Sequence, residues 1–235
     1  MKQVLFIFFL VIFFSCKKDR ELEENPDLGY DYFPVTIGKY IVYDVDSTAY
    51  IQLPTVDTIT AKFRIKEVID SIFKDNEGRD TYRITRYKKN YSPTISYDAM
   101  SWVIQDVWVS NLTATTAEVV EENTRYIKLT FPIIKNNKWN GNTQNTIGDW
   151  QYKYTEVDKA LTLNGLSFEN TLTVLQKKET PAIFYKNYEE KYAKGIGMIY
   201  KEVSDYTFKI VNGTLFPGQI YEGVSYKMTV VDYHL

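Results

Sequence analysis

From Lys39 to the C-terminus, hydrophobic and polar residues alternate with a period of two rather than 3.6. In residues 59–66, for example, Ile, Ala, Phe and Ile alternate with Thr, Lys, Arg and Lys. This pattern is typical of a β-strand with one face in water. Other runs alternate in the same way or consist largely of β-branched and aromatic residues, which also favour strands. Together these runs predict strands at residues 40–45, 59–66, 81–88, 103–109, 124–130, 150–155, 172–176, 198–203 and 226–231.

Turn signals separate these runs, and three of them are Asn-Gly pairs, which favour tight hairpins. The only helix candidate is short, at residues 186–194. About ten short strands without the spacing of βαβ units predict an all-β fold, a single antiparallel domain that forms a barrel, half-barrel or sandwich. The turn signals are Asp75-Asn76-Glu77-Gly78, Asn140-Gly141, Asn164-Gly165, Asn212-Gly213 and Pro217-Gly218.

The N-terminus carries the features of an export signal. One lysine precedes an apolar run at residues 4–14, which is shorter than the ~20 residues of a membrane-spanning helix. Ser15 and Cys16 follow, and Cys16 stands where a bacterial lipoprotein signal places its lipidated residue. We therefore expect a signal peptide at 1–15, the lipidated Cys16 with a flexible tether at 16–29, and a β domain at 30–235. Two or more acyl chains on Cys16 would make a stable membrane anchor.

The residues after Cys16 predict the destination. Lys17 rather than Asp follows the cysteine, which by similarity to the sorting pattern indicates the outer membrane, on its periplasmic or cell-surface side. Residues 18–24 are charged and rich in acid, and they resemble the export tag of surface lipoproteins in Bacteroidetes-type bacteria. An ordinary solvated tether would have the same composition.

Composition excludes several kinds of chemistry. The chain has one Cys and one His, so disulfide scaffolds, Cys/His zinc sites and His-dependent catalysis are excluded or disfavoured. That histidine, His234, is the penultimate residue, a poor position for a general base. The net charge of −2 does not suggest a nucleic-acid-binding face. No phosphate-binding loop occurs, and Gly195-Ile196-Gly197 lacks a third glycine, so we expect no cofactor.

Carboxylates are the remaining catalytic candidates. A glycan hydrolase needs only two, about 5–10 Å apart. Asp75-Asn76-Glu77-Gly78-Arg79-Asp80 resembles part of a calcium loop but lacks its spaced carboxylates, so a hairpin turn without metal is the simpler interpretation. Four acids lie beside aromatic residues in the sequence: Asp98, Asp106, Asp149 and Glu156.

Aromatic residues are over-represented, at 16% of the chain. In a β protein most of them fill the core and pair across strands. Exposed rings would instead stack on sugars or cover an apolar ligand. The four tryptophans are the candidates for such a ligand-facing role: Trp102, Trp108, Trp139 and Trp150.

A tripeptide of Asp, a hydroxyl residue and Thr or Ile occurs three times, at Asp46-Ser47-Thr48, Asp57-Thr58-Ile59 and Asp70-Ser71-Ile72. It resembles the O-glycosylation acceptor of exported proteins in Bacteroidetes-type bacteria. The candidate acceptors are Ser47, Thr58 and Ser71.

Several sequence blocks cover most of the chain after Cys16. They include Tyr32-Phe33-Pro34 with Gly38-Lys39-Tyr40, Lys138-Trp139-Asn140-Gly141-Asn142, and Tyr192-Ala193-Lys194-Gly195-Ile196-Gly197. Together these blocks resemble an uncharacterised family of outer-membrane lipoproteins from Bacteroidetes-type bacteria. The resemblance implies an envelope location and a β fold, and it supplies no activity.

Three functions remain as hypotheses. The first is a non-catalytic envelope lipoprotein whose β domain binds a glycan, a lipid-like molecule or another envelope protein through a concave or apolar site. The second is a structural or assembly factor of the envelope with a flat surface and no pocket. The third is a hydrolase with two facing carboxylates, one of which has a raised pKa.

Overall fold

A computed structural model describes residues 26–53 and 55–235. Twelve antiparallel strands form one sheet, so the expected all-β class is confirmed. The predicted signal peptide and Cys16 lie outside the described residues. The strands are β1 (Tyr40–Leu53), β2 (Thr55–Lys74), β3 (Asp80–Asn90), β4 (Val103–Leu112), β5 (Thr116–Glu121), β6 (Thr124–Thr130), β7 (Lys138–Asn140), β8 (Gln151–Leu163), β9 (Leu166–Glu179), β10 (Phe184–Ala193), β11 (Gly197–Val211) and β12 (Thr214–His234).

The strands follow one another around a nearly closed barrel. Their order is β6-β5-β4-β3-β2-β1-β12-β11-β10-β9-β8-β7, so the first and last strands pair and the sheet opens between β6 and β7. Side chains bridge this opening: the Trp139 indole N–H donates to the Ile127 carbonyl (2.9 Å), and the Tyr154 hydroxyl donates to the Thr130 carbonyl (2.9 Å). These contacts protect the two exposed edges, which would otherwise be free to pair with other strands.

The helix predicted at residues 186–194 is wrong, because these residues form strand β10. Their Tyr, Glu, Lys and Ala composition suits a helix, but their alternation suits a strand. Tyr188, Glu190 and Tyr192 share the inner face, and β9 and β11 satisfy the backbone on both sides. The sheet also contains two short strands that the pattern missed, β5 and β7.

Two of the three Asn-Gly pairs form the hairpin turns that their sequence predicts. Asn164-Gly165 and Asn212-Gly213 both have positive φ at each residue, as a type I′ turn requires. Gly141 is different, because its φ is not in the left-handed region and it follows the short strand β7. Its role is close packing: a Cβ there would stand 2.3 Å from the Tyr152 ring.

The N-terminal strap, residues 27–38, lies across one end of the barrel. The Ile133 amide donates to the Leu28 carbonyl (3.1 Å), the Gly195 amide to the Asp31 carbonyl (2.8 Å), and the Gly38 amide to the Ile69 carbonyl (2.8 Å). The strap thus connects the open seam, the β10–β11 turn and strand β2. Tyr32 anchors its 3₁₀ turn (Tyr30–Tyr32) in the core.

Two apolar clusters fill the interior. One surrounds the seam and includes Trp139, Tyr152 and Tyr154, whereas the other lies between β1, β2, β11 and β12 and includes Tyr43 and Ile199. The half-buried Met198 packs against both. The barrel interior is therefore a packed core in which aromatic side chains are prominent.

Candidate ligand site inside the barrel

Seven strands each contribute one charged side chain to the barrel interior. We call this set the interior charge network. It matters because ionised groups are rarely buried unless they are paired. Its members are Glu67, Arg86, Asp106, Glu121, Lys128, Glu190 and Lys201.

Four members form a ring of alternating charge. Lys128 Nζ lies 2.5 Å from Glu121 Oε1 and 2.8 Å from Glu190 Oε1. Lys201 Nζ lies 3.1 Å from Glu121 Oε2 and 3.5 Å from Glu190 Oε1. The Tyr192 hydroxyl donates to the second oxygen of Glu190 (2.6 Å). Each buried charge in this ring therefore has at least two polar partners.

The ring stays ionised because the opposite charges outweigh burial. Burial alone would raise the pKa of Glu121, but Lys128 and Lys201 lower it to about 2. Burial would lower the pKa of Lys128, and the two carboxylates raise it instead. The carboxylates of the ring are therefore held as ions and not as proton donors.

The remaining network members centre on Arg86. Its Nε lies 2.9 Å from Glu67 Oε1, and its Nη1 lies 3.1 Å from Asp106 Oδ2. The guanidinium carbon stands 3.6 Å from the centroid of the Trp108 ring, in a cation–π contact. Burial raises the pKa of Glu67 even though Arg86 acts against the rise.

A cavity of about 90 Å³ lies beneath the N-terminal strap and beside this network. Its walls are mostly apolar and include Phe33 and Pro34 of the strap, Ile84 of β3 and Trp108 of β4. Polar groups reach it from Lys39, Ser110 and Glu121. We call it the strap cavity. An apolar space with a few convergent polar groups is the usual form of a small-molecule site.

A second cavity of about 140 Å³ lies on the other side of the charge ring. Tyr126, Trp150 and Tyr188 contribute to its walls, and it shares Glu121 and Lys128 with the strap cavity. The ring therefore forms a polar partition between two spaces of the same barrel interior.

Each cavity is lined by a residue with a buried polar atom that has no hydrogen-bond partner among the described residues. Ser110 Oγ is one, and Ser110 lines the strap cavity; Gln176 Nε2 is the other, and Gln176 lines the second cavity. Most buried polar groups in proteins are hydrogen-bonded, and leaving one unsatisfied costs about 1–3 kcal/mol.

The structure divides the four candidate tryptophans into three environments. Trp108 and Trp150 line the strap cavity and the second cavity, respectively. Trp139 is buried in the seam cluster and donates to the Ile127 carbonyl. Trp102 precedes β4 and lines neither cavity. Its ring makes a cation–π contact with the Lys89 ammonium, which lies 4.4 Å from the ring centroid.

The three candidate acceptor hydroxyls lie on the first two strands. Ser47 is half-buried on β1, Thr58 is exposed on β2, and Ser71 is half-buried on β2, where its hydroxyl donates to Asp70 (2.9 Å). Of the three, Thr58 is the most accessible to a modifying enzyme.

The four candidate carboxylates are not brought together as a pair. Asp106 binds Arg86, Asp149 accepts from the Asn140 amide (2.6 Å), Asp98 lies in the 3₁₀ turn Tyr97–Ala99, and Glu156 lies on β8. The Asp75 loop is a hairpin closed by its own carboxylate, which accepts from the amides of Glu77 and Arg79 at 2.9 Å each. Within residues 26–53 and 55–235, no three His, Cys, Asp or Glu side chains form a group that could hold a metal ion.

No family model and no curated protein matches the chain. Among solved structures, a Vibrio parahaemolyticus domain assigned to an outer membrane lipoprotein-sorting protein aligns over 84% of this chain and 85% of its own length, with 11% identity and a TM-score of 0.18. In the part of the chain that the structure covers, no helix is long and apolar enough to cross a membrane.

Proposed function

We propose that this protein is a non-catalytic binding protein of the cell envelope whose β domain holds an amphipathic, lipid-like small molecule in the strap cavity. The observation that carries the proposal is the cavity itself, which combines apolar walls with Lys39 and with Ser110, whose hydroxyl has no hydrogen-bond partner among the described residues. A glycan would need more polar groups than these walls present, and an envelope protein would need an exposed surface instead.

The proposal includes a membrane anchor at Cys16. Its support is the sequence: the apolar signal, the single cysteine directly after it, and Lys17 next in the chain. Together with the resemblance to envelope lipoproteins of Bacteroidetes-type bacteria, these features favour the outer membrane. A lipid-anchored barrel would keep its strap cavity close to a source of apolar ligands.

The proposal of binding rather than catalysis rests on the state of the interior acids. Hydrolysis by a carboxylate pair needs one protonated acid beside an ionised base. The ring carboxylates are instead neutralised by Lys128 and Lys201, with the pKa of Glu121 lowered to about 2. Such a network is suited to fixing the shape of the interior.

Native mass spectrometry of protein extracted from its own membrane tests the proposal. We expect a non-covalently bound small molecule on the wild-type protein. Val119→Phe should abolish it, because Val119 lines the strap cavity and a larger ring would fill the space. Val107→Phe on the exposed side of β4 is the matched control and should keep the ligand, since Val107 is 50% exposed.

Circular dichroism and urea unfolding of both variants would separate a filled cavity from a misfolded domain. A folded wild-type protein that carries no small molecule, or equal occupancy in the two phenylalanine variants, contradicts the proposed site.

A further inference from the structure

Lys39 is a buried lysine that, unlike Lys128 and Lys201, has no carboxylate partner among the described residues. It precedes β1 and is 4% exposed. Its Nζ has one hydrogen-bond partner among the described residues, the Gly195 carbonyl oxygen at 3.4 Å. No described carboxylate lies within ion-pair distance of it, whereas Lys128 and Lys201 each contact two.

The surroundings of this ammonium are built by the strap and the β10–β11 turn. Gly197 has a φ of +95°, and a Cβ placed on it would lie 3.7 Å from Lys39 Nζ and 3.7 Å from Pro34 Cδ. The absence of a side chain at Gly197 therefore leaves room next to the ammonium. This open space is part of the strap cavity, which Gly197, Pro34 and Lys39 all line.

A buried ammonium without a counter-ion is unfavourable, and an anion in the cavity would relieve the cost. The other charged groups that line the cavity are already neutralised: Glu67 by Arg86, and Glu121 and Lys128 by each other. Ser110, whose hydroxyl has no hydrogen-bond partner among the described residues, lines the same cavity. The remaining titratable groups on its walls are the tyrosines Tyr40, Tyr43 and Tyr192.

We propose that Lys39 binds the acidic head of the ligand, so that the protein selects a short-chain amphiphile ending in a carboxylate. This inference rests on the proposed function and names its ligand class. The carboxylate lies at Lys39 under the strap, and the apolar chain extends past Ile84 and Trp108.

Binding of a carboxylate at Lys39 should depend on pH. Burial lowers the pKa of Lys39 to about 7, so the free protein is only half protonated there near neutrality. A bound carboxylate stabilises the ammonium, and binding therefore takes up a proton. Between pH 6 and pH 8 the protonated fraction falls about tenfold, and the affinity for the carboxylate should fall by about the same factor.

Calorimetric titration with butyrate and butanol, which match the cavity volume of about 90 Å³, tests the inference on the full chain carrying Cys16→Ala. We expect butyrate to bind more tightly than butanol at pH 6, and to lose about tenfold in affinity by pH 8. Lys39→Met should abolish both the preference and the pH dependence but keep butanol binding. Lys138→Met, at an exposed position on β7, is the control and should behave as wild type.

The outcomes separate the two proposals. If both probes bind wild type equally and without pH dependence, Lys39 is not the head-group site, although the cavity still binds apolar chains. If neither probe binds, the proposed function fails and the inference with it. The preference for the carboxylate over the alcohol and its pH dependence are both measured on the wild-type protein. The inference can therefore be tested even if Lys39→Met does not fold.

Discussion

Replacing Lys39 by methionine should stabilise the folded protein, although it removes the proposed ligand contact. Methionine has a similar length and carries no charge, and the lost hydrogen bond to Gly195 is long, at 3.4 Å. Lowering the pKa from 10.5 to about 7 corresponds to roughly 4–5 kcal/mol of unfavourable burial of the charge. Because the site can relax, we expect a gain of about 2–4 kcal/mol in the free energy of unfolding at pH 6.

The sign of the pH dependence follows from linkage. Below pH 7, Lys39 is protonated in both the folded and unfolded states, and the full cost of the buried charge is present. Between pH 7 and 10.5 the unfolded lysine keeps its proton while the folded one loses it, so the wild type gains stability as pH rises. The advantage of Lys39→Met should therefore fall to less than half by pH 9.

Urea unfolding followed by tryptophan fluorescence at pH 6, 7.5 and 9 measures this difference. Lys138→Met is again the control, and its difference from wild type should not change over this range. A Lys39→Met protein that is less stable than wild type at pH 6, or whose advantage is the same at pH 6 and 9, would refute the description of Lys39 as a buried, unpaired charge.

Further predictions concern the charge ring and the modifications. Glu190→Ala should lower the free energy of unfolding by about 3–5 kcal/mol, because the buried Lys128 and Lys201 then lose one of their two carboxylate partners. Glu189→Ala is the comparison: its ion pair with Lys191 is partly exposed, so the loss should be less than about 1 kcal/mol. Similar losses in the two variants would show that the ring is not a structural unit. Mass spectrometry of the native protein should find a lipid mass that Cys16→Ala removes, and an unchanged mass would exclude the anchor. Any glycan mass should decrease on substitution of the acceptors to alanine, and an intact mass equal to protein plus lipid would exclude modification of Ser47, Thr58 and Ser71.

Much of the sheet is predictable because alternation is a local signal. Residues 59–66 alternate strictly and lie inside β2, and residues 124–130 coincide with β6. The full length of the strands is harder to predict from the alternation. The sequence predicts a turn at Pro217-Gly218, but β12 continues through both residues. It does so because β11 pairs with β12 on both sides of a local irregularity there.

The site depends on contacts that no local pattern contains. Glu190 is buried because Lys128, 62 positions earlier, faces it across the barrel. From the sequence alone, Glu190 is one acid in a Glu-Glu-Lys run that suggests a helix. Glu67 gives a weak signal, since it shares the inner face of β2 with Ile65 and Ile69. Lys39 gives none, because its burial depends on the strap and on the turn at Gly195.

Photolabelling tests the central claim most directly. A diazirine-bearing butyrate would be bound to the Cys16→Ala protein and irradiated, and the crosslinks would be mapped by peptide mass spectrometry. We predict crosslinks in residues 33–41, 108–119 and 192–198, which contribute to the strap cavity, and competition by unlabelled butyrate. Crosslinks confined to exposed positions such as residues 103–105 of β4, or labelling that butyrate does not reduce, would contradict a ligand site inside the barrel.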